Sequence, residues 1–298
     1  MYYVIDGQAL AEKIKDEIIK EIIGAKKGLD IYSCPRPNLA IILIGERDDS
    51  ELYVNLKEKE AKKVGIDTHI YKCAEDVSEK EVLDLINFLN KDDTIDAILI
   101  QLPLPVNLDT DKIIMAVSPE KDVDGFHPEN LKRLLGAGSH SCACCHHCEE
   151  GIMPPVYAVV FEMLKSINYD LKNKRTVILA NSETFGKNLM NLLVEKGAQV
   201  EIIRPDDEKL ETKTKEADLL ITAVGRSEFI KREMIKKNSV IIDIGITKKG
   251  KKVVGDVDFN DVKDRAGYIS PVPGGVGPMT IAMALKNTLE MHKRRCGS

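Results

Sequence analysis

The sequence predicts an α/β protein of two domains, each built on a parallel β-sheet that is covered by helices. Short apolar segments alternate with helical segments along nearly the whole chain, which is typical of parallel sheets. A second, independent series of such segments begins after Pro154 and Pro155. The length of 298 residues is also sufficient for two domains with substantial cores.

The first series contains three units of helix and strand. Leu10, Ile14, Ile18 and Ile22 recur at helical spacing, and Gly65 is a natural helix C-cap. The predicted elements, in order, are a helix at 10–23, a strand at 39–45, a helix at 52–64, a strand at 69–72, a helix at 80–90 and a strand at 97–101.

The second series has the rhythm of a Rossmann-like dinucleotide-binding domain. Its predicted elements are a helix at 160–167, strands at 176–180, 200–203, 219–223 and 240–244, and a helix at 187–196. The boundary is expected between Gly136 and Met153, so the predicted domains are residues 1–138 with 275–293, and residues 150–274. The last helix, at 281–290, is expected to pack back on the first domain.

Composition excludes several classes of protein. The net charge of -5 gives no support for nucleic-acid binding. No run of about twenty apolar residues exists, so no transmembrane helix and no membrane partner are expected. The N-terminal segment lacks a secretory pattern, which predicts a cytoplasmic protein with reduced thiols.

The segment from Pro271 to Thr280 contains six Gly or Pro residues among its ten positions. Glycine permits sharp turns and close approach to a ligand, whereas proline stiffens the backbone. Between a strand-like and a helix-like segment, this composition predicts a shaped loop that forms a wall of a binding site.

Tyr53 and Lys57 are four residues apart, so their side chains share one face of the predicted helix. A buried lysine with a lowered pKa can transfer protons, although a solvated helix face is the commoner explanation of such spacing. Gln101 ends a predicted strand, where a neutral amide can hold the lysine amine without raising its pKa.

Residues 121–127 place Asp122 and Asp124 two residues apart in a predicted loop. Such a pair can bind a metal, recognise an amide of a ligand, or simply form an Asp-Gly turn. The pattern leaves these alternatives open.

Five motifs stand in order and at suitable distances along nearly the whole chain: the segment 48–59 with Tyr53 and Lys57, Gln101 to Pro105, Lys121 to Pro128, Gly255 to Phe259, and Pro271 to Thr280. Together they resemble the bifunctional methylenetetrahydrofolate dehydrogenase/cyclohydrolase family. Each motif alone is weak, but their ordered combination is specific.

This resemblance implies an activity of one-carbon metabolism. The enzyme would oxidise 5,10-methylenetetrahydrofolate with NAD(P) and hydrolyse the methenyl product to 10-formyltetrahydrofolate. Lys57 would be the general acid/base, Gln101 would tune it, Tyr53 would orient the folate, and Asp124 would bind the pterin. Pro273 and Gly274 would line the folate site. A homodimer is also implied.

The predicted cofactor turn, Ala180 to Asn188, departs from the family pattern. Ser182 and Gly186 are retained, but Asn181 replaces an arginine that would bind a 2′-phosphate. Arg204 can replace that charge and favour NADP, whereas Asp206 can instead hold a ribose diol and favour NAD. We expect NADP; Ala180, Gly225 and Ile246 are further expected cofactor contacts.

The connection between the domains departs from the family as well. Cys142, Cys145 and Cys148 have a spacing that can ligate zinc or part of an iron-sulfur cluster, but a fourth cysteine of a ferredoxin pattern is missing. A thiol-rich loop without a metal is the alternative.

Two alternatives to the bifunctional enzyme therefore stay open. The altered cofactor turn is compatible with a cyclohydrolase whose dehydrogenase activity is lost or changed. The Cys/His loop is compatible with a folate- or metal-responsive binding protein, although such a protein would not need a lysine placed for proton transfer.

Overall fold

The computed structural model describes residues 2–28, 36–136, 151–250 and 252–296. Within these ranges the helices are α1 (Gly7–Gly28), α2 (Asp48–Val64), α3 (Glu79–Lys91), α4 (Thr110–Ala116), α5 (Pro128–Gly136), α6 (Pro155–Ser166), α7 (Glu183–Glu195), α8 (Leu210–Glu216), α9 (Phe259–Val262) and α10 (Val276–Cys296). The strands are β1 (Tyr3–Val4), β2 (Asn38–Ile44), β3 (Asp67–Cys73), β4 (Ala97–Ile100), β5 (Arg175–Ala180), β6 (Gln199–Ile203), β7 (Leu219–Ala223), β8 (Val240–Asp243), β9 (Thr247–Lys249), β10 (Lys252–Val254) and β11 (Tyr268–Ile269). No helix within these ranges is long and apolar enough to cross a bilayer.

The chain folds into two compact units, which confirms the predicted α/β class. The six-stranded unit comprises residues 1–11 and 156–280, and the three-stranded unit comprises residues 12–155 and 281–298. These bounds differ from the sequence-based ones at the N-terminus, because β1 pairs with β11 and so joins the six-stranded unit. The other two boundaries lie later than expected, after residues 155 and 280.

The six-stranded unit is a parallel sheet of order β1-β11-β8-β7-β5-β6. Its core contains the buried side chains of Val177, Leu220 and Ile241 from three adjacent strands. Because β6 and β7 lie on opposite sides of β5, the strand order reverses at β5. In open α/β sheets such a reversal marks the crevice in which a ligand binds, at the carboxyl ends of the strands.

The three-stranded unit is a parallel sheet of order β3-β2-β4. The central strand β2 is almost wholly buried, which explains its continuous apolar sequence. Ile42 of this strand packs in one cluster with Ile86 and Leu89 of α3. The segment around Asp122 forms a parallel bridge to Ile98 of β4 and extends the sheet edge.

The C-terminal helix belongs mainly to the three-stranded unit, as predicted. The Asn287 side-chain amide of α10 donates hydrogen bonds to the backbone carbonyls of Val123, at 2.9 Å, and Met153, at 3.0 Å. These bonds connect α10 to the segment that carries Asp124.

Two helices begin earlier than the sequence predicts. The helix predicted at 52–64 begins at Asp48 as α2, because the acidic residues Asp48, Asp49 and Glu51 favour a helix N-terminus. The second half of the predicted Gly/Pro loop forms the first turn of α10, where Pro278 lies among amides that need no partner within the helix.

Candidate functional site

Lys57 lies on the buried face of α2. Ser50, Val54, Ala61 and Val64 are buried on this helix, and Lys57 falls three residues after Val54 and four before Ala61. Lys62 and Lys63 of the same helix are different, since they form ion pairs with Glu58 and Glu60. Lys57 is therefore a lysine on a helix face whose other residues are buried.

Gln101 meets this amine at the carboxyl end of β4. The Lys57 Nζ donates a hydrogen bond to Gln101 Oε1 at 2.9 Å. The Gln101 Nε2 donates to the Leu102 carbonyl at 2.6 Å. Because the amide nitrogen has its own acceptor, the amide oxygen is the atom that faces Lys57.

Burial lowers the pKa of Lys57, and the negative charge of Asp124 opposes this only in part. A neutral glutamine supplies a hydrogen bond without the charge that would restore the protonated amine. The arrangement therefore favours an amine that exchanges a proton more readily than an exposed lysine does.

Asp124 lies near this amine and has a perturbed carboxyl group. Burial raises its pKa to about 6; Lys57 lowers it and the carboxylate of Asp122 adds to the increase. Asp122 itself accepts hydrogen bonds from the backbone N–H groups of Gly125, at 3.1 Å, and His127, at 2.7 Å. Asp122 thus shapes the loop, and Asp124 is left available to a ligand.

Asp124 opens onto a small cavity with mainly apolar walls. The cavity is lined by Ile98, Ile100, Leu102, Ile114, Val117, Asp122, Asp124 and Phe126. Apolar walls with a few convergent polar groups are typical of small-molecule sites.

Tyr53 precedes Lys57 by one helical turn and is partly buried. Partial burial, together with the charge of Asp49, raises the pKa of its phenol. The phenol is therefore a neutral group at physiological pH and offers an aromatic face and a hydroxyl rather than a base.

The turn after β5 contains the residues expected to bind a dinucleotide. Ala180 ends β5 and is buried, and the Ser182 hydroxyl caps α7 by accepting the Phe185 N–H at 3.2 Å. A Cβ atom at Gly186 would lie 2.9 Å from the Ile202 side chain, so glycine permits close packing of α7 on β6. A helix N-terminus after a parallel strand suits a pyrophosphate, and these residues fit such a group.

Asn181 connects this turn to the end of β7. Its amide nitrogen donates to the Val224 carbonyl at 2.6 Å. Gly225 follows with φ of 65° and is exposed. The uncharged side chain of Asn181 thus connects the loops that follow β5 and β7, at the point where the strand order reverses.

Arg204 and Ile246 lie on other loops of the six-stranded unit. The Arg204 guanidinium is largely exposed and lies 3.6 Å from Asp206. The pKa of Glu183 is lowered by Lys187 and also by Arg204, which indicates that Arg204 lies near the start of α7. Ile246 follows β8 and is 44 % exposed.

Pro273 and Gly274 belong to the six-stranded unit, in the turn before α10. Gly274 has φ of 97°, which favours glycine, and its carbonyl accepts the Gln8 N–H at 3.0 Å. A Cβ atom at Gly7 would lie 1.9 Å from the Gly275 carbonyl oxygen. The turn is therefore held closely against the start of α1.

The predicted metal ligands Cys142, Cys145 and Cys148 lie outside the described residues. Among the residues that are described, no group of three or more His, Cys, Asp or Glu side chains is arranged to hold a metal ion.

Two features of the site were missed by the sequence analysis. The positions 50, 54, 57, 61 and 64 have heptad spacing, and this pattern alone would have placed Lys57 on the buried face. The apolar residues of the cavity come from β4, α4 and the loop at 122–126, and their convergence has no signal in local sequence.

Family profiles match both halves of the chain. Residues 5–124 match the profile of the tetrahydrofolate dehydrogenase/cyclohydrolase catalytic domain, and residues 154–296 match the NAD(P)-binding domain of the same family. The chain is 42 % identical to the bifunctional protein FolD of Nitratiruptor sp. over 98 % of both chains. It is 41 % identical to that of Aquifex aeolicus, over 99 % of this chain and 97 % of the relative.

Solved structures show the same similarity. The bifunctional enzyme FolD from Campylobacter jejuni has a TM-score of 0.89 and 37 % identity, with 99 % of this chain and 100 % of that chain covered. The methylenetetrahydrofolate dehydrogenase-cyclohydrolase of Trypanosoma brucei, solved with NADP and an inhibitor, has a TM-score of 0.90 and 31 % identity over 98 % of both chains.

Fold and site together define a two-domain α/β enzyme with an NAD(P)-binding domain. The chain belongs to the tetrahydrofolate dehydrogenase/cyclohydrolase family.

Proposed function

We propose that this chain oxidises 5,10-methylenetetrahydrofolate to the methenyl form with NADP and then hydrolyses that product to 10-formyltetrahydrofolate. The observation that carries the proposal is the contact of 2.9 Å between the Lys57 amine and the neutral Gln101 amide. Bound NADP would supply the acceptor for the hydride that leaves the bridging carbon.

Lys57 is the proton-transfer group of the proposed hydrolysis. Its neutral amine accepts a proton from the water that adds to the methenyl carbon, and the ammonium returns this proton to N5 as the bond between that carbon and N5 breaks. The hydroxyl of the adduct loses its own proton to solvent and becomes the formyl carbonyl. The lowered pKa of Lys57 supports both steps, because a group with a pKa nearer the working pH exchanges protons in both directions.

Asp124 and the cavity beside it are proposed to bind the pterin ring. The carboxyl group can hydrogen-bond the amide-like edge of the heterocycle, while the apolar walls contact its faces. Tyr53 would pack on the folate from α2, and Pro273 and Gly274 are proposed as further folate contacts.

Replacement of Lys57 by methionine tests the proposal directly. Lys57→Met should abolish cyclohydrolase turnover, because the side chain keeps its volume but has no proton to exchange, while folate still binds in equilibrium titration. Lys59→Met is the matched control, since Lys59 is exposed on the same helix. Retained turnover in Lys57→Met would exclude Lys57 as the acid/base.

NADP, rather than NAD, is the proposed cofactor, with Arg204 as the residue that binds the 2′-phosphate. Arg204 is exposed and close to the start of α7, where it can supply the charge that Asn181 lacks. Arg204→Ser should raise the KM for NADP about tenfold or more and leave the KM for NAD unchanged. Equal effects on both cofactors would contradict this role.

Dehydrogenase kinetics with NADP and NAD also distinguish a cyclohydrolase that has lost dehydrogenase activity, because such a protein would reduce neither cofactor.

The homodimer and the cytoplasmic location expected from the sequence are also proposals. Light scattering after gel filtration measures the oligomeric state, and cell fractionation measures the location.

Elemental analysis of anaerobically purified protein tests whether Cys142, Cys145 and Cys148 bind a metal. Sub-stoichiometric zinc and iron would exclude such a site.

A further inference from the structure

Two buried carboxyl groups, Asp243 and Asp256, lie side by side in the six-stranded unit, and no step described above uses them. Asp256 is fully buried and Asp243 is 2 % exposed. Burial raises the pKa of Asp243 to about 7, and the charge of Asp256 adds to this increase. Such groups are costly to bury, so their hydrogen bonds indicate what they hold in place.

The Asp256 carboxylate binds three donors at the end of β7. Its Oδ2 accepts the Thr222 hydroxyl at 3.0 Å and the Val224 N–H at 2.7 Å. Its Oδ1 accepts the Arg226 N–H at 2.8 Å. The Asp256 side chain, which is distant in the sequence, therefore fixes the backbone conformation of residues 222–226.

This arrangement determines which part of the loop faces outward. The N–H groups of Val224 and Arg226 point inward to the carboxylate, and the exposed Gly225 lies between them in a left-handed conformation. On the other side, the Asn181 amide binds the Val224 carbonyl. The β7 loop and the β5 turn are thus held in one geometry.

The loop after β8 is fitted to the same group. A Cβ atom at Gly245 would lie 2.1 Å from the Asp256 Cγ, so the backbone before Ile246 rests directly on this carboxylate. Asp243 completes the arrangement by accepting the N–H groups of Gly245, at 3.0 Å, and Asp256, at 3.1 Å.

We propose that Asp256 is a positioning residue for the dinucleotide: its buried carboxylate fixes the loops at the ends of β7 and β8, and thereby the backbone at Gly225 and Ile246 that meets the cofactor. The inference rests on the proposed function, because it requires that this edge of the sheet binds NADP. Asp256 itself touches neither the cofactor nor the folate.

The test is the affinity of the full-length protein for NADPH, measured by fluorescence titration well below the unfolding transition of every variant. In Asp256→Asn one carboxylate oxygen becomes an NH₂ group that faces an N–H donor, so the dissociation constant should rise about tenfold or more. Hydrogen exchange at the amides of Val224 and Arg226 should accelerate without cofactor. Cyclohydrolase turnover, which consumes no dinucleotide, should stay unchanged.

Asp258→Asn is the matched control. Asp258 lies two residues further along, pairs with Lys231 at 2.8 Å and caps α9, but forms no hydrogen bond or ion pair with residues 222–226. NADPH affinity should be unchanged in this variant. A second pair covers failure of Asp256→Asn to fold: Thr222→Val should weaken NADPH binding about threefold, and Thr222→Ser should restore it.

Unchanged NADPH affinity in Asp256→Asn, or in Thr222→Val where the first variant does not fold, would overturn the proposal. A parallel loss of NADPH binding and cyclohydrolase turnover would also overturn it, because that result indicates a general structural role. Failure of the wild-type protein to bind NADPH would refute the proposed function instead, so the two failures are distinguishable.

Discussion

Replacement of Gln101 by glutamate tests whether a neutral partner keeps the Lys57 amine active. Lys57 Nζ lies 2.9 Å from Gln101 Oε1, so Gln101→Glu places a carboxylate in contact with the amine. Unit charges about 3 Å apart attract by about 6 kcal/mol at an effective dielectric constant of 20, and desolvation of the new carboxylate offsets part of this. The remaining attraction raises the pKa of Lys57. At a pH below that pKa, the fraction of Lys57 in the neutral form should therefore fall about ten- to a thousandfold.

The assay is the cyclohydrolase rate as a function of pH. Gln101→Glu should move the rising limb of the profile to higher pH, and the rate should recover in alkaline buffer because the amine again loses its proton. Gln101→Met is the matched control, since it removes the hydrogen bond without adding a charge and should not move the limb to higher pH. An equal loss of rate at every pH in Gln101→Glu would refute this account of the site.

Two further predictions concern stability. Burial raises the pKa of Asp124 from 3.8 to about 6, so its ionisation destabilises the fold as pH rises through this interval. Asp124→Asn should therefore increase the free energy of unfolding by about 1–3 kcal/mol at pH 7.5, allowing for partial exposure, and by progressively less towards pH 4 in urea titrations; a pH-independent effect would contradict this. Gly125→Ala should destabilise by about 2 kcal/mol or more, because its φ is 67° and a Cβ atom would lie 2.6 Å from the Ile152 carbonyl oxygen. Gly24→Ala, in a helix with open space, should stabilise slightly by comparison, and thermal unfolding measures both.

Much of the fold could be predicted because the central strands are apolar throughout. β2 and β4 are buried nearly end to end, so each appears in the sequence as a continuous apolar run. The α8 helix was missed because only Leu210 and Thr214 are buried and the rest of its sequence is polar. The β9–β10 hairpin has only three residues in each strand, most of them exposed, and Gly250 is its main local signal.

The residues of the candidate site could be predicted, but the contacts between them could not. The resemblance selected Lys57, Gln101 and Asp124, whereas the hydrogen bond between the first two depends on packing of α2 against the end of β4. The contact between Asp256 and Thr222 joins residues 34 positions apart. Local patterns carry no information on such pairs, because they arise only when strands from distant segments become neighbours.

The pairing of β1 with β11 limits how this protein can be divided for study. The chain passes from one unit to the other after residues 11, 155 and 280, so neither unit is encoded by one continuous stretch. A fragment that starts at residue 156 would lack an edge strand and expose the β11 backbone to water or to other molecules. Isolated halves would therefore need grafted segments, and a proteolytic cut between residues 137 and 150 would yield two fragments that each retain pieces of both units.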